Sequence, residues 1–161
     1  MSSRISIAGH PLHAMLVTIP NGLWVFSLVS DIAFLSTGDL RWESTAYFTL
    51  GGGVVGALLA AVPGLLDYLG LHEPRERRVA SIHLVLNLAI VVIQALNFWL
   101  RSEPGPGMGG RNLPVLISIV AVAALVVSGW LGGQLVHVMG VTQPHHGEPG
   151  AIEHDRLHPR T

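Results

Sequence analysis

The sequence contains no cysteine and no lysine, and it carries little charge of either sign. Without thiols the chain cannot form disulfide bonds, hold an iron–sulfur cluster or build a thiolate metal site. Only 12% of the 161 residues are charged and the formal net charge is −1, so the composition does not indicate nucleic acid as a partner. The chain also lacks a phosphate-binding glycine loop, zinc-protease spacing and a nucleophile–base arrangement. No enzymatic activity is therefore assigned.

Apolar residues make up half of the chain, and the mean hydropathy is +0.52. They concentrate in four blocks, at residues 12–35, 47–71, 79–100 and 113–138. Each block exceeds the roughly 20 residues that an α-helix needs to cross the hydrocarbon core of a bilayer, and helices satisfy their own backbone hydrogen bonds in lipid. The sequence therefore predicts an all-α integral membrane protein, an up-down-up-down four-helix bundle. No internal repeat is recognisable.

This transmembrane domain is predicted to occupy residues 1–139. Residues 140–161 are polar and rich in Gly, Pro and His, which is typical of a disordered tail. The amino terminus, the second loop and the tail share one side of the membrane and carry most of the arginines, namely Arg4, Arg75, Arg77, Arg78, Arg156 and Arg160. This bias predicts a multi-pass protein with both termini, and hence the tail, in the cytoplasm.

Polar residues follow one face of the third span and one face of the first. The third span has His83, Asn87, Gln94, Asn97 and Arg101 at helical spacing, and the first has His13, Pro20, Trp24, Ser27 and Asp31. Polar groups at membrane depth turn toward the bundle interior, because contact with lipid is costly. Asp31 and Arg101 lie at matching depth near the outer surface. We therefore predict that they form an ion pair.

Histidines collect at the opposite, cytoplasmic end of the predicted bundle. His10, His13, His83 and His137 lie at one level there, together with Asp67. Imidazole is the commonest metal ligand and an axial ligand of heme. His13 and His83 belong to diagonally opposed helices and are the predicted axial ligands of a heme b, with His10 or His137 as alternates. A non-heme metal ion held by these four histidines is the other arrangement.

Two further residues are assigned to this cofactor site. Asp67 lies near the carboxyl end of its helix, where a negative charge needs compensation, and its predicted role is to accept a hydrogen bond from a ligand histidine. Asn87 lies one turn beyond His83 on the same face. Small residues at this depth, among them Gly64 and Gly132, leave room for a cofactor.

Three functions compete at this point. A cofactor at one membrane face predicts electron transfer to a redox partner protein or to quinone. A polar path through the bundle, with Asp31 and Asp67 as stations, would instead conduct protons or cations, although the middle of the bundle is largely apolar. A scaffold subunit would use its polar groups only to hold helices together.

The sequence also contains two G-x-x-x-G motifs, Gly52–Gly56 and Gly129–Gly133, on the second and fourth spans. Such motifs allow close approach of helix backbones. They predict tight packing within the bundle or between copies in a homo-oligomer.

Four segments in combination resemble a bacterial family of small four-helix membrane proteins known as a domain of unknown function. These are "GHPLHAMLVTIPNGLWVFSLVSDI", "PGLLDY", "HLVLN" and "SGWLGGQLV". The family's H-P-[IL]-H-P-M opening has Ala14 in place of its second proline. Its histidines and aspartate map onto His10, His13, His83 and Asp67, whereas His137 lies outside the family pattern.

This resemblance implies a protein of the bacterial inner (cytoplasmic) membrane, and it brings no established activity. Similar domains occur fused to Rieske iron–sulfur domains, which implies an association with redox chemistry.

Overall fold

A computed structural model describes residues 6–7, 10–102 and 112–138. In these ranges the chain forms two short antiparallel strands and five α-helices, followed by a π-helical turn. The elements are β1 (Ser6–Ile7), β2 (His10–Pro11), α1 (Leu12–Leu16), α2 (Thr18–Thr37), α3 (Leu40–Leu69), α4 (Pro74–Ser102), α5 (Asn112–Gly133) and the π turn Gln134–Val138. The predicted tail at residues 140–161 lies outside the described residues.

Four helical segments are long and apolar enough to cross a membrane: Leu12–Thr37, Leu40–Leu69, Pro74–Ser102 and Asn112–Val136. The predicted four-span helical fold is thereby confirmed. In the main packing, α2 lies against α3 and α5, and α4 lies against the same two helices. Helices α2 and α4 therefore face each other diagonally across the bundle, as the up-down topology predicts.

The boundaries of the helices differ from the hydrophobic blocks. Helix α3 begins at Leu40, seven residues before the predicted start, and α4 begins at Pro74, five residues before it. Gly38 ends α2 in the left-handed conformation, with φ of 71°, and the Asp39 side chain caps α3 by accepting the backbone N–H of Arg41. Asp39 thus starts α3, and Pro74 is the first residue of α4; both starts precede the apolar blocks, which hydropathy alone does not reveal.

The first span is broken rather than continuous. Helix α1 ends at Leu16 and α2 begins at Thr18, with Val17 as a turn between them. Pro20 has no N–H to donate to the carbonyl of Leu16, so the helical hydrogen-bond ladder is interrupted at this point. His13 consequently sits on a separate helix of five residues.

An apolar layer divides the bundle interior. Trp24, Leu50, Ile90 and Leu125 pack together as one buried cluster, contributed by all four spans. On one side lies the arginine end, which contains Asp31 and Arg101. On the other side lies the histidine end, where α1 and α4 begin and α3 and α5 end. From His83 to Arg101 along α4 the distance is about 27 Å at 1.5 Å per residue, close to the hydrocarbon thickness of a bilayer.

Candidate functional site

His13 is held against the backbone of α3. Its Nδ1–H donates to the carbonyl of Ala60 at 2.8 Å. Gly64 lies one turn further along α3, and a Cβ at that position would come within 2.6 Å of Nδ1 and of Cε1 of the imidazole. Only glycine therefore permits this close contact. Because a carbonyl can only accept, Nδ1 must be the protonated nitrogen of the neutral ring, and the lone pair of the neutral ring is then on Nε2.

His83 has the same kind of setting on α5. Its Nδ1–H donates to the carbonyl of Ser128 at 3.0 Å and also contacts Oγ of Ser128 at 3.2 Å. Gly132 lies one turn further along α5, and a Cβ there would come within 3.2 Å of Cε1 of the ring. Nε2 of His83 is again the nitrogen with a lone pair.

Asn87 and Ser128 complete the surroundings of His83. The amide of Asn87 donates to the backbone carbonyl of His83 at 2.7 Å and to Oγ of Ser128 at 2.6 Å. The structure thus brings Asn87 next to the histidine with which the sequence grouped it. Sequence reasoning missed Ser128, whose only signal is its position four residues before Gly132 in the segment SGWLGG.

The two imidazoles share one arrangement. In each, Nδ1–H donates a hydrogen bond to a backbone carbonyl of a neighbouring helix, and the ring packs on the glycine one turn beyond that carbonyl. Among the residues whose side chains are described, neither Nε2 has a hydrogen-bond partner. The rings belong to α1 and α4, which both begin at the histidine end of the bundle.

The remaining predicted site residues are only partly described. Asp67 lies near the end of α3, at the histidine end. Ala60 and Ser128 provide the carbonyls that orient His13 and His83, so these two rings have orienting groups of a kind that the sequence did not predict. The predicted role of Asp67, to accept a hydrogen bond from a ligand histidine, stays a prediction.

His10 and His137 are placed by their backbones alone. His10 is in β2 and His137 is in the π turn, and their side chains lie outside the described part of the structure. Among the described side chains, no three His, Cys, Asp or Glu residues converge to hold a metal ion. A non-heme site with His10 or His137 as ligands stays a prediction.

The arginine end contains the predicted ion pair. Arg101 donates from Nη1 and Nη2 to the two carboxylate oxygens of Asp31, at 2.6 and 2.8 Å, and both side chains are buried. Ser118 Oγ accepts from Arg101 at 3.1 Å and from Asn97 at 2.9 Å. The predicted pairing is confirmed, whereas the participation of Ser118 was not predicted.

The two G-x-x-x-G motifs have different surroundings. A Cβ at Gly52 or Gly56 would come within 3.4 Å of Leu23 or Ile19, so this motif packs α3 on α2 within the chain. A Cβ at Gly129 or Gly133 would meet no described atom within 4 Å. Homo-oligomerisation through the second motif stays a prediction.

Comparison with known proteins places the chain among membrane proteins. No curated protein and no solved structure matches it. The family described as "Predicted membrane protein (DUF2231)" matches residues 9–144. That range includes His13, His83, both glycines beneath them and the Asp31–Arg101 pair, and the match confirms the resemblance noted from the sequence. The chain belongs to this family of predicted membrane proteins.

Proposed function

We propose that the protein binds a heme b at the histidine end, with Nε2 of His13 and Nε2 of His83 as the two axial ligands, and that it transfers electrons. The observation that carries this proposal is the matched setting of the two rings on diagonally opposed helices. In each, a backbone carbonyl fixes the proton on Nδ1, which leaves the lone pair of Nε2 for a ligand. Metal-ligating histidines almost always donate their other N–H in this way.

Heme suits the described residues better than a bare metal ion does. A protein site for zinc normally supplies three or four ligands, and only His13 and His83 are described as oriented ligands here. A heme would need only two ligands from the protein, and His13 and His83 would supply them. When bound, the heme would supply one-electron chemistry.

The protein's contribution is to bind and orient the group. The carbonyls of Ala60 and Ser128 orient the imidazole rings, and Gly64 and Gly132 leave room for the rings themselves rather than for a cofactor. Three exposed arginines, Arg75, Arg77 and Arg78, lie in the first turns of α4 at the same end. They are suited to heme propionates or to an acidic face of a redox partner protein.

This end is proposed to face the cytoplasm, following the arginine bias of the loops. With a cofactor at one face only, the protein would exchange electrons with a partner protein or quinone at that face. It would not by itself carry electrons across the inner membrane.

Conduction of protons or cations is the weaker alternative. The layer of Trp24, Leu50, Ile90 and Leu125 interrupts the polar stripe between the two ends of the bundle. In proteoliposomes with an internal pH dye, we expect no proton leak above that of empty liposomes. A protein-dependent leak would favour conduction instead.

The first test is an absorption spectrum of the protein in mild detergent, as isolated, after dithionite and after titration with hemin. We expect a Soret band with sharp reduced α and β bands at one heme per chain. His13→Ala and His83→Ala should each abolish these bands. His72→Ala is the matched control, because His72 is exposed in the connection between α3 and α4, and it should leave them unchanged.

Two outcomes would overturn the proposal. A well-folded protein that stays colourless and metal-free after hemin is offered would leave the histidines as a structural layer, as in a scaffold subunit. A colourless protein with one zinc, iron or copper ion per chain would instead assign the site to a non-heme metal.

A further inference from the structure

The bundle can be divided into two halves, the first made of α1, α2 and α3 and the second made of α4 and α5. The first span of each half places corresponding residues at the same depth. The spans α1–α2 and α4 run in the same direction and are related by a constant separation of 70 residues. The corresponding pairs are His13 and His83, Trp24 and Gln94, Ser27 and Asn97, and Asp31 and Arg101. Apart from the two half-buried histidines, all of these residues are buried. The same separation of 70 residues therefore relates the two histidines to each other and the two members of the ion pair to each other.

The second span of each half shows the same correspondence. Residues of α3 and α5 are related by a separation of 68, and the pairs are Leu50 and Ser118, Gly53 and Ala121, Ala60 and Ser128, and Gly64 and Gly132. The last two pairs are the carbonyls that bind the histidines and the glycines beneath the rings. The bundle is thus an internal pseudo-dimer, with an approximate two-fold axis along its length.

The correspondence is too weak at the level of residue identity to be recognised as a repeat in the sequence. Only His13 with His83 and Gly64 with Gly132 are identical among these pairs. The correspondence is carried by burial and hydrogen bonding, since most interior positions have exchanged one residue type for another.

We propose that the ligand of the histidine end lies on this axis, bound by one histidine from each half, and that Ser128 and Asn87 make the two halves unequal. This inference deepens the proposed heme site and rests on it for the identity of the ligand. Ser128 corresponds to Ala60, which has no hydroxyl, and Asn87 corresponds to Val17, which has no amide.

The inequality is visible in the hydrogen bonds. Nδ1–H of His13 has one acceptor, the carbonyl of Ala60. Nδ1–H of His83 is shared between the carbonyl and Oγ of Ser128, and Asn87 holds that Oγ in place. A second acceptor on Nδ1–H increases the basicity of the opposite nitrogen. His83 is therefore the more strongly electron-donating ligand, and Ser128 and Asn87 are positioning residues.

Substituting each residue by its counterpart in the other half tests, in the ligand-free protein, whether Ser128 makes the two histidines unequal. Ser128→Ala gives the second half the residue of the first, and Ala60→Ser does the reverse. With ¹⁵N-histidine labelling, we expect Ser128→Ala to shift the NMR signals of His83 and leave those of His13 in place. Ala60→Ser should shift His13 alone. Asn87→Val is a second variant that should shift His83 without removing the hydroxyl.

The hemin-loaded protein gives an independent readout. Ser128→Ala should raise the midpoint potential, because the oxidised iron loses electron donation from His83, and Ala60→Ser should lower it. His13→Ala and His83→Ala should weaken hemin binding by similar factors of at least tenfold. Ser27→Ala is the matched control, since this buried serine donates to the carbonyl of Ala46 between the two spans of the first half and should change neither readout.

The two proposals fail in different ways. If hemin does not bind, the heme assignment is wrong, and the NMR comparison still decides whether Ser128 distinguishes the two histidines. If hemin binds but Ser128→Ala leaves His83 unshifted, or shifts both histidines equally, the inference of unequal halves is overturned. Binding that survives in only one of the two histidine variants would place the ligand off the axis.

Discussion

Arg101 and Asp31 join the two diagonally opposed helices of the bundle through a pair of parallel hydrogen bonds of 2.6 and 2.8 Å. The guanidinium of Arg101 also donates from Nε to Oδ1 of Asn97 and from Nη2 to Oγ of Ser118. Burying an unpaired charge at this depth costs free energy, so each residue compensates the charge of the other. The pair also ties α2 to α4, which make no other main packing contact.

Breaking this pair should strongly destabilise the protein. We expect Arg101→Met to lower the free energy of unfolding by about 3–5 kcal/mol, because Asp31 is left buried and uncompensated. Adding Asp31→Leu should restore much of that loss. Thermal unfolding in detergent measures both effects. Arg41→Met is the control, since the Arg41–Asp39 pair is exposed and should matter little; a double variant no more stable than Arg101→Met would contradict this account.

Gln94 is expected to tolerate loss of its amide. Its side chain is fully buried, yet within the described residues Nε2 has no hydrogen-bond partner, and Oε1 receives only a long bond of 3.3 Å from Asn97. An unsatisfied buried amide costs about 1–3 kcal/mol, so Gln94→Met should be neutral or stabilising in thermal unfolding. Ser118→Ala, which removes an acceptor of two donors, should destabilise. A large loss for Gln94→Met would show that a water molecule or ligand binds Nε2.

Gly64→Ala should displace the His13 ring. The added methyl would come within 2.6 Å of two ring atoms, and overpacking of this kind typically costs 1–3 kcal/mol. Gly129→Ala provides the comparison, because a methyl there meets no described atom within 4 Å. We expect a lower unfolding temperature and weaker hemin binding for the first variant only. Equal behaviour of the two variants would mean that His13 does not rest on Gly64.

Asp39 should make the cap of α3 sensitive to acid. The side-chain hydrogen bonds from Arg41, with the backbone N–H of the same residue, lower the pKa of Asp39 below its ordinary value of 3.8. A lowered pKa means that the cap contributes stability above the ordinary pKa and loses it as the pH falls through the lowered one. Carboxyl NMR titration should find a low midpoint in the wild type and a midpoint partway back to 3.8 in Arg41→Ala. An unchanged midpoint in the variant would exclude the side-chain bonds as the main cause.

The four spans and the Asp31–Arg101 pair could be predicted because both follow from the spacing of residue types along the chain. Hydrophobic length gave the four spans, and helical spacing gave the Asp31–Arg101 pair, since depth in a membrane is counted in residues. The partners of His13 and His83 were not predictable in the same way. Backbone carbonyls occur at every residue, so no sequence letter marks Ala60 as an acceptor.

Ser128 and Ser118 escaped prediction for a related reason. Small hydroxyl residues are common in membrane helices, where they also bond to their own backbone. Only the contact with a particular neighbouring helix distinguishes them. The helix starts at Leu40 and Pro74 were missed because their polar first turns lie outside the apolar blocks.

The separation of 70 residues between Asp31 and Arg101 has a consequence for biosynthesis. At about 5–20 residues per second, a ribosome needs roughly 4–14 s to make the chain that separates them. Helix α2 therefore reaches the membrane with a carboxylate whose counter-charge does not yet exist. During this interval Asp31 must stay close to the lipid headgroups, and it can move into its buried position only when α4 arrives. The ion pair thus makes completion of the bundle a late step, taken after the third span has been inserted.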